Sequence, residues 1–197
     1  MESEQVYPIE ADTLLLLEAV LEEVRSHDSV LEIGTGCGYI AKEISTIASV
    51  IATDVNPHAV VRAAAYGIDV IRTDLFNGIK GSFTLIVFNP PYLPTPNGEE
   101  LKDWMERALN GGPSGRQIIE KFINGVPHVL APNGRILLVV SSLTGLGEVI
   151  QYLVERDFWV QVVKKMEFEN EYLYVIKCAL NEGRRDLSQT VHANHGA

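Results

Sequence analysis

A chain of 197 residues is the size of one domain with one substantial core, and 46% hydrophobic with 21% charged residues is a globular composition, which argues against disorder. No run approaches the roughly 20 apolar residues that span a bilayer, and Met1 to Glu10 lacks the basic-then-apolar pattern of a signal peptide, so a cytoplasmic protein is expected. A formal charge of -10 disfavours unaided binding to nucleic acid, because neutralising phosphates takes clustered Lys and Arg.

Leu14, Leu17, Val20, Leu21 and Val24 recur at helical spacing after the capping candidates Asp12 and Thr13, which predicts an amphipathic helix to about Arg25. Ser29 to Ile33 reads as a short buried strand stopped by Gly34, Tyr39 to about Ile47 as a helix, and Ser49 to Thr53 as a second strand. Pro57 suits a first helical turn, with helix to about Tyr66, and Val70 to Arg72 supplies a third strand. Phe83 to Phe88 is a β-rich run ending in a proline-laden loop. Ser114 to Leu130 reads as helix, Arg135 to Val140 as a fifth strand, and Leu146 to Arg156 as helix. Two strands close the pattern, Phe158 to Lys164 and Tyr172 to Ala179, with no helix between them.

Strands alternating with helices predict an α/β fold whose sheet is mostly parallel and covered on both faces. The last two strands are expected to pair as an antiparallel hairpin at one edge, making seven. Residues 1–180 are expected to form one domain, and the polar stretch 181–197 a flexible tail. Cys37 and Cys178 have no CxxC partner and no His at ligand spacing, so no metal site or disulfide is expected.

Leu31-Glu32-Ile33-Gly34-Thr35-Gly36-Cys37-Gly38 leaves a strand and enters a helix, the place where α/β sheets bind ligands. Asp54 ends the second strand, about 20 residues beyond Glu32, where an acid can accept hydrogen bonds from both ribose hydroxyls. Asp74 in Thr73-Asp74-Leu75 closes the third strand, placed to accept from an adenine amino group. A dinucleotide fingerprint is GxGxxG, whereas Gly34, Gly36 and Gly38 give GxGxG and Tyr39 stands where the last fingerprint glycine belongs. NAD is the weaker choice. S-adenosyl-L-methionine (SAM) carries no phosphates and a sulfonium, and a strand-end Glu with a tight Gly turn suits its aminocarboxypropyl arm.

Beside that site lies Asn89-Pro90-Pro91-Tyr92, after the fourth strand. Paired prolines stiffen the loop and remove two N–H donors, leaving the Asn89 side-chain oxygen and the Pro90 carbonyl to face a ligand as acceptors. Two such acceptors match an NH2 group. A conjugated NH2 is a poor nucleophile, and accepting both of its protons pushes electron density onto nitrogen while Tyr92 offers an aromatic face. A glutamine amide and a flipped adenine base both present that group. His58 and His128 read as surface or helix residues.

With these motifs in place the sequence resembles the HemK-type protein-glutamine N5-methyltransferases, in particular the short archaeal and eukaryotic branch that acts on class 1 release factors. The resemblance runs from about Val6 to Leu180 and also includes Asp12-Thr13 and Ala108-Leu109-Asn110-Gly111-Gly112 with Gly115-Arg116. It implies a class I, Rossmann-like SAM-methyltransferase fold, with Thr13, Glu32, Gly34, Asp54, Asp74 and Leu75 lining the SAM site. Asn89, Pro90 and Tyr92 would hold the glutamine amide of a Gly-Gly-Gln loop. The resemblance further implies a small zinc-binding activator subunit that covers an apolar sheet edge in a heterodimer. Bacterial members carry an N-terminal helical domain, whereas this chain starts close to Thr13, so substrate recognition is expected in the loop 94–112 or on a partner. The run Leu93 to Trp104 suits a lid, with Trp104 and Met105 as anchors.

Overall fold

The computed structural model describes residues 5–96 and 103–181, so the expected tail lies almost wholly outside the described residues. In chain order the elements are α1 (Ala11–Glu23), β1 (Ser29–Ile33), α2 (Tyr39–Ser45), β2 (Ser49–Asp54), α3 (Pro57–Ala64), β3 (Asp69–Arg72) and β4 (Phe83–Phe88). There follow α4 (Trp104–Leu109), α5 (Gln117–Gly125), a 3-10 turn (Val126–His128), β5 (Leu130–Ser141), α6 (Leu146–Val154), β6 (Phe158–Phe168) and β7 (Glu171–Leu180).

The strands form one seven-stranded sheet in the order β3-β2-β1-β4-β5-β7-β6. The first five are parallel, and β7 runs antiparallel to both β5 and β6, as the missing crossover helix requires. Chain order reverses between β1 and β4, which opens a crevice beyond their carboxyl ends. Register brings the functional segments level there. Ile33 pairs with both Thr53 and Phe88, so Gly34, Asp54 and Asn89 leave the sheet side by side.

Both faces of the central strands are buried, with alternate residues feeding two cores. Leu31, Ile33, Ile86 and Phe88 meet Ile119, Phe122 and Ile123 of α5 and Val149 and Leu153 of α6. Val30, Leu85, Val87 and Leu137 meet Leu16 and Val20 of α1 and Ile40 and Ile44 of α2. The Phe88 and Phe122 rings, with centroids 4.8 Å apart, link the end of β4 to α5 just below the acceptor loop. At the opposite end of the sheet, Arg135 donates to Asp28 at 2.8 Å and to Glu23 at 3.3 Å, tying β5 to the approach to β1 and to the end of α1. Burial alone would raise the Asp28 carboxyl, but hydrogen bonds from Arg135, Thr84 and the Arg25 N–H outweigh it and hold it well below the usual carboxylate range.

Three local readings change. Helix α1 starts at Ala11 with Glu10 at its cap position, so Asp12 and Thr13 lie inside the first turn. Its buried face is Leu15, Leu16, Leu17, Ala19 and Val20, so Leu17 and Val20 face the core as expected while Leu14 and Leu21 are exposed; four consecutive leucines fit more than one helical phase, and docking selects among them. The helix expected over 114–130 is confined to α5, because Pro127 has no N–H and its ring opposes the carbonyl four residues back. Helix α4 is additional. Asp103 accepts the Glu106 N–H at 2.9 Å, an N-cap followed three residues on by Glu, which is a readable start signal.

Candidate active site

A cavity of about 430 Å³ occupies the crevice beyond β1, β2 and β4, a size ordinary for a small-molecule site. Ten of the eleven expected site residues line it: Thr13, Glu32, Gly34, Gly36, Asp54, Asp74, Leu75, Asn89, Pro90 and Tyr92. Gly38 does not. It starts α2 with φ +80°, and a Cβ there would stand 2.8 Å from the Ala63 backbone of α3. The third glycine therefore lets two helices touch instead of meeting a ligand.

The turn after β1 is built from its own backbone. Gly34 takes φ +64°, the Thr35 N–H donates to the Thr53 carbonyl at 2.9 Å, and the Gly36 N–H donates to Asp54 Oδ2 at 2.8 Å. Asp54 Oδ1 accepts the Asn56 N–H at 2.8 Å, so the acid is aimed from both sides. Burial raises its carboxyl against those hydrogen bonds. Glu32 is 3% exposed and accepts the Thr35 hydroxyl at 2.5 Å. Burial pushes its carboxyl up to about 8; the Thr35 hydrogen bond opposes this and the nearby Asp54 charge adds to it.

On the far wall Leu75 adopts φ +49°, a left-handed conformation that costs energy for a side chain of this size, directly after Asp74. The loop is closed by the Asn77 N–H on the Asp74 carbonyl at 3.1 Å and the Thr73 hydroxyl on the Asn77 carbonyl at 2.7 Å.

At the acceptor loop, Asn89 Oδ1 is the single buried side-chain polar atom among the described residues that has no hydrogen-bond partner. Leaving such an acceptor unmet costs about 1–3 kcal/mol, and at the cavity wall it is open to a donor from a ligand. The loop is braced from behind. The Thr144 hydroxyl donates to the Tyr92 carbonyl at 3.4 Å, and Gly115 approaches so closely that a Cβ would lie 2.5 Å from that oxygen. Leu93 pairs with the end of α4, its N–H on the Leu109 carbonyl at 3.0 Å and its carbonyl taking the Gly111 N–H at 2.9 Å. Gly115 thus serves close packing against the acceptor loop, while a Cβ on Gly111 would meet Gly115 and one on Gly112 would meet Gln117. Of the expected lid, residues 97–102 lie outside the described residues; Trp104 lines the main cavity, and Met105 faces a second cavity beside it.

Two residues were not read as part of the site. Tyr7 and Asp12 line the cavity, with Tyr7 and Tyr92 hydroxyls on Asp12 Oδ2 at 3.1 and 3.3 Å. Burial and the Asp12 charge hold both phenols well above their ordinary range. A capping residue and a buried acid look alike in a linear pattern. The residues present fit SAM: a buried carboxyl group behind a glycine turn, a second acid oriented at the end of β2, and a third beside a kinked backbone.

The Methyltransferase small domain family matches residues 8–106. The chain is 35% identical over 180 residues to the putative protein N5-glutamine methyltransferase MJ0928 of Methanocaldococcus jannaschii, covering 87% of this chain and 90% of that one. It is 31% identical over 189 residues to methyltransferase HEMK2 of Homo sapiens, covering 87% and 88%. The structure is similar, with a TM-score of 0.76 and 27% identity over 92% of this chain and 100% of the other, to a chain of the E. cuniculi Mtq2-Trm112 complex, described as responsible for methylation of the eRF1 translation termination factor. Together with the glycine turn, the strand-end acids and the open Asn89 acceptor, these likenesses place the chain: it belongs to the HemK-type protein N5-glutamine methyltransferases, a SAM-dependent family.

Proposed function

We propose that this chain methylates the side-chain nitrogen of a glutamine in the Gly-Gly-Gln loop of a class 1 translation release factor. The observation that carries the reading is the unmet acceptor Asn89 Oδ1, buried in a proline-stiffened loop at the wall of the cavity.

Bound in that cavity, SAM supplies an electrophilic methyl group on a sulfonium. Glu32 would hold its amino group, Asp54 its ribose hydroxyls, and Asp74 with Leu75 its adenine, while Thr13, Gly34 and Gly36 complete the turn around its amino-acid arm. Asn89 Oδ1 and the Pro90 carbonyl accept the two N–H bonds of the amide, which concentrates density on nitrogen and fixes the direction of its lone pair. The Tyr92 ring covers the flat face of the amide and keeps water from it. Orientation carries the rate in this scheme, and no strong base is needed to start the reaction.

A partner completes the reading. Edge strand β3 leaves Ile71 44% exposed, with Tyr66 and Val61 also exposed before it, and an uncovered apolar edge invites pairing. The Mtq2 relative is described in a complex with Trm112. We infer that a small zinc-binding subunit covers this edge in a heterodimer.

The deciding test is transfer of labelled methyl from SAM to purified release factor, its loop Gln→Ala variant, and adenine-containing DNA and RNA, with and without the zinc-binding partner. Label on the wild-type factor alone is the expected result. Label on nucleic acid alone would move the acceptor to adenine.

A further inference from the structure

Asp12 has no role in the scheme above, yet its position is costly. It is 3% exposed, and among the described residues no Lys, Arg or His pairs with it. A buried carboxylate without a cation persists only when hydrogen bonds saturate it. Here Oδ1 accepts the Thr13 N–H at 2.6 Å and the Thr13 hydroxyl at 3.3 Å, while Oδ2 accepts Tyr7 and Tyr92. The first turn of α1 adds the favourable end of the helix dipole.

The space around Tyr92 shows what the arrangement does. A second cavity of about 310 Å³ lies behind it, walled by Met105, Phe168 and Leu173, and Tyr7, Asp12 and Tyr92 border both cavities. The backbone of Tyr92 is fixed by Thr144 and by the close approach of Gly115. Its ring packs on the core beneath α1 along part of its surface and borders a cavity on either side, so the hydrogen bond from its hydroxyl to Asp12 is the directional contact that sets its tilt.

We propose that Asp12 is a positioning residue for methyl transfer, holding the Tyr92 ring at the acceptor site through its hydroxyl and tying Tyr7 to the same wall. The inference rests on the acceptor reading above. It gives Tyr92 two separable parts, a ring that meets substrate and a hydroxyl that only anchors the ring. Displacing a positioning group by about 1 Å can cost on the order of 100-fold in rate.

The test uses the full chain with its partner subunit and release factor, comparing wild type, Asp12→Asn, Tyr92→Phe and the double variant. Three readings are taken for each: kcat, KM for release factor, and SAM affinity by calorimetry. The expected result is that each single variant lowers kcat by about 10- to 100-fold while SAM affinity stays within about twofold. The double variant should be no worse than the poorer single one, because both changes remove the same contact. Multiplied losses in the double variant, or Asp12→Asn at wild-type kcat, would overturn the proposal. So would a matching loss of SAM affinity, which would mean that Asp12 acts through Thr13 on the cofactor. A wild-type enzyme that labels no release factor refutes the acceptor reading first, and this inference with it.

Discussion

Replacing Glu32 by glutamine should separate what the site costs the fold from what it gives the cofactor. Burial lifts the Glu32 carboxyl from an ordinary 4.5 to about 8, so the folded chain keeps a proton that the unfolded chain sheds above pH 4.5. Stability from this group is therefore complete below that pH and is lost as pH rises towards 8. At roughly 1.4 kcal/mol per pH unit the loss is on the order of 4 kcal/mol. Glu32→Gln removes it while keeping an acceptor for the Thr35 hydroxyl. Asp54 is also raised by burial and adds a slope of the same sign, so the comparison between wild type and variant isolates Glu32. Urea unfolding at pH 5 and pH 8 should show the variant losing markedly less stability than wild type across that interval. Cofactor binding should show the converse cost. At pH 7 only about a tenth of free Glu32 is ionised, so pairing with an ammonium group should release close to one proton, and affinity should rise nearly tenfold from pH 6 to 7. Calorimetry in two buffers of different ionisation enthalpy counts that proton. Equal pH slopes in wild type and variant, or binding without proton release, would refute the placement of Glu32.

Asn89→Ala should abolish turnover and leave SAM affinity nearly intact, whereas Asp54→Ala should weaken SAM binding first; equilibrium binding beside single-turnover rates checks both, and the reverse pattern would sink the assignment of roles. Gly38→Ala should destabilise the fold by about 1–3 kcal/mol through its positive φ and the Ala63 contact while SAM affinity in the surviving folded fraction stays unchanged, as thermal melts with and without cofactor would show. Arg135→Met should cost about 3–5 kcal/mol near neutral pH, because it strands the buried Asp28 carboxylate. That penalty should shrink as pH falls, because without Arg135 burial lets Asp28 in the variant take up a proton at higher pH than in wild type, and acid titration of both proteins by circular dichroism measures the convergence.

Period-2 and period-3.6 patterns carried the sheet, since the central parallel strands are apolar runs bounded by Gly, Pro or an acid, and the missing helix between the last two runs already dictated an antiparallel pair. Boundaries were less legible where two signals compete. The segment 114–130 is apolar at helical spacing throughout, yet Pro127 outranks spacing, and residues 130–134 then join β5 through an irregular register beside Phe83. Helix α4 escaped notice for the opposite reason: its apolar spacing is weak, no residue in it is buried, and only its capping signal speaks for it.

The site divides along a similar line. Backbone-built features were readable, because a glycine turn, a strand-end acid and a proline pair each fix a local geometry that serves one kind of ligand. Features built by meeting across the fold were not. Asp12 and Tyr92 are 80 residues apart, and nothing in either segment announces the other. Gly38 shows the same limit from the other side, since a glycine in a ligand-binding motif and a glycine pressed against Ala63 are identical letters. What distinguishes them is a distance to a residue in another helix. Where a site's energetics depend on such meetings, in the bridge of Tyr7, Asp12 and Tyr92 above all, substitution at either end should be felt at the other. That coupling is measurable without knowing the acceptor: in a double-mutant cycle of unfolding free energies, the losses in Tyr7→Phe and Asp12→Asn should not add, because both remove the same hydrogen bond. Strictly additive losses would mean that Tyr7 does not hold the Asp12 carboxylate, and the bridge would lose its physical basis.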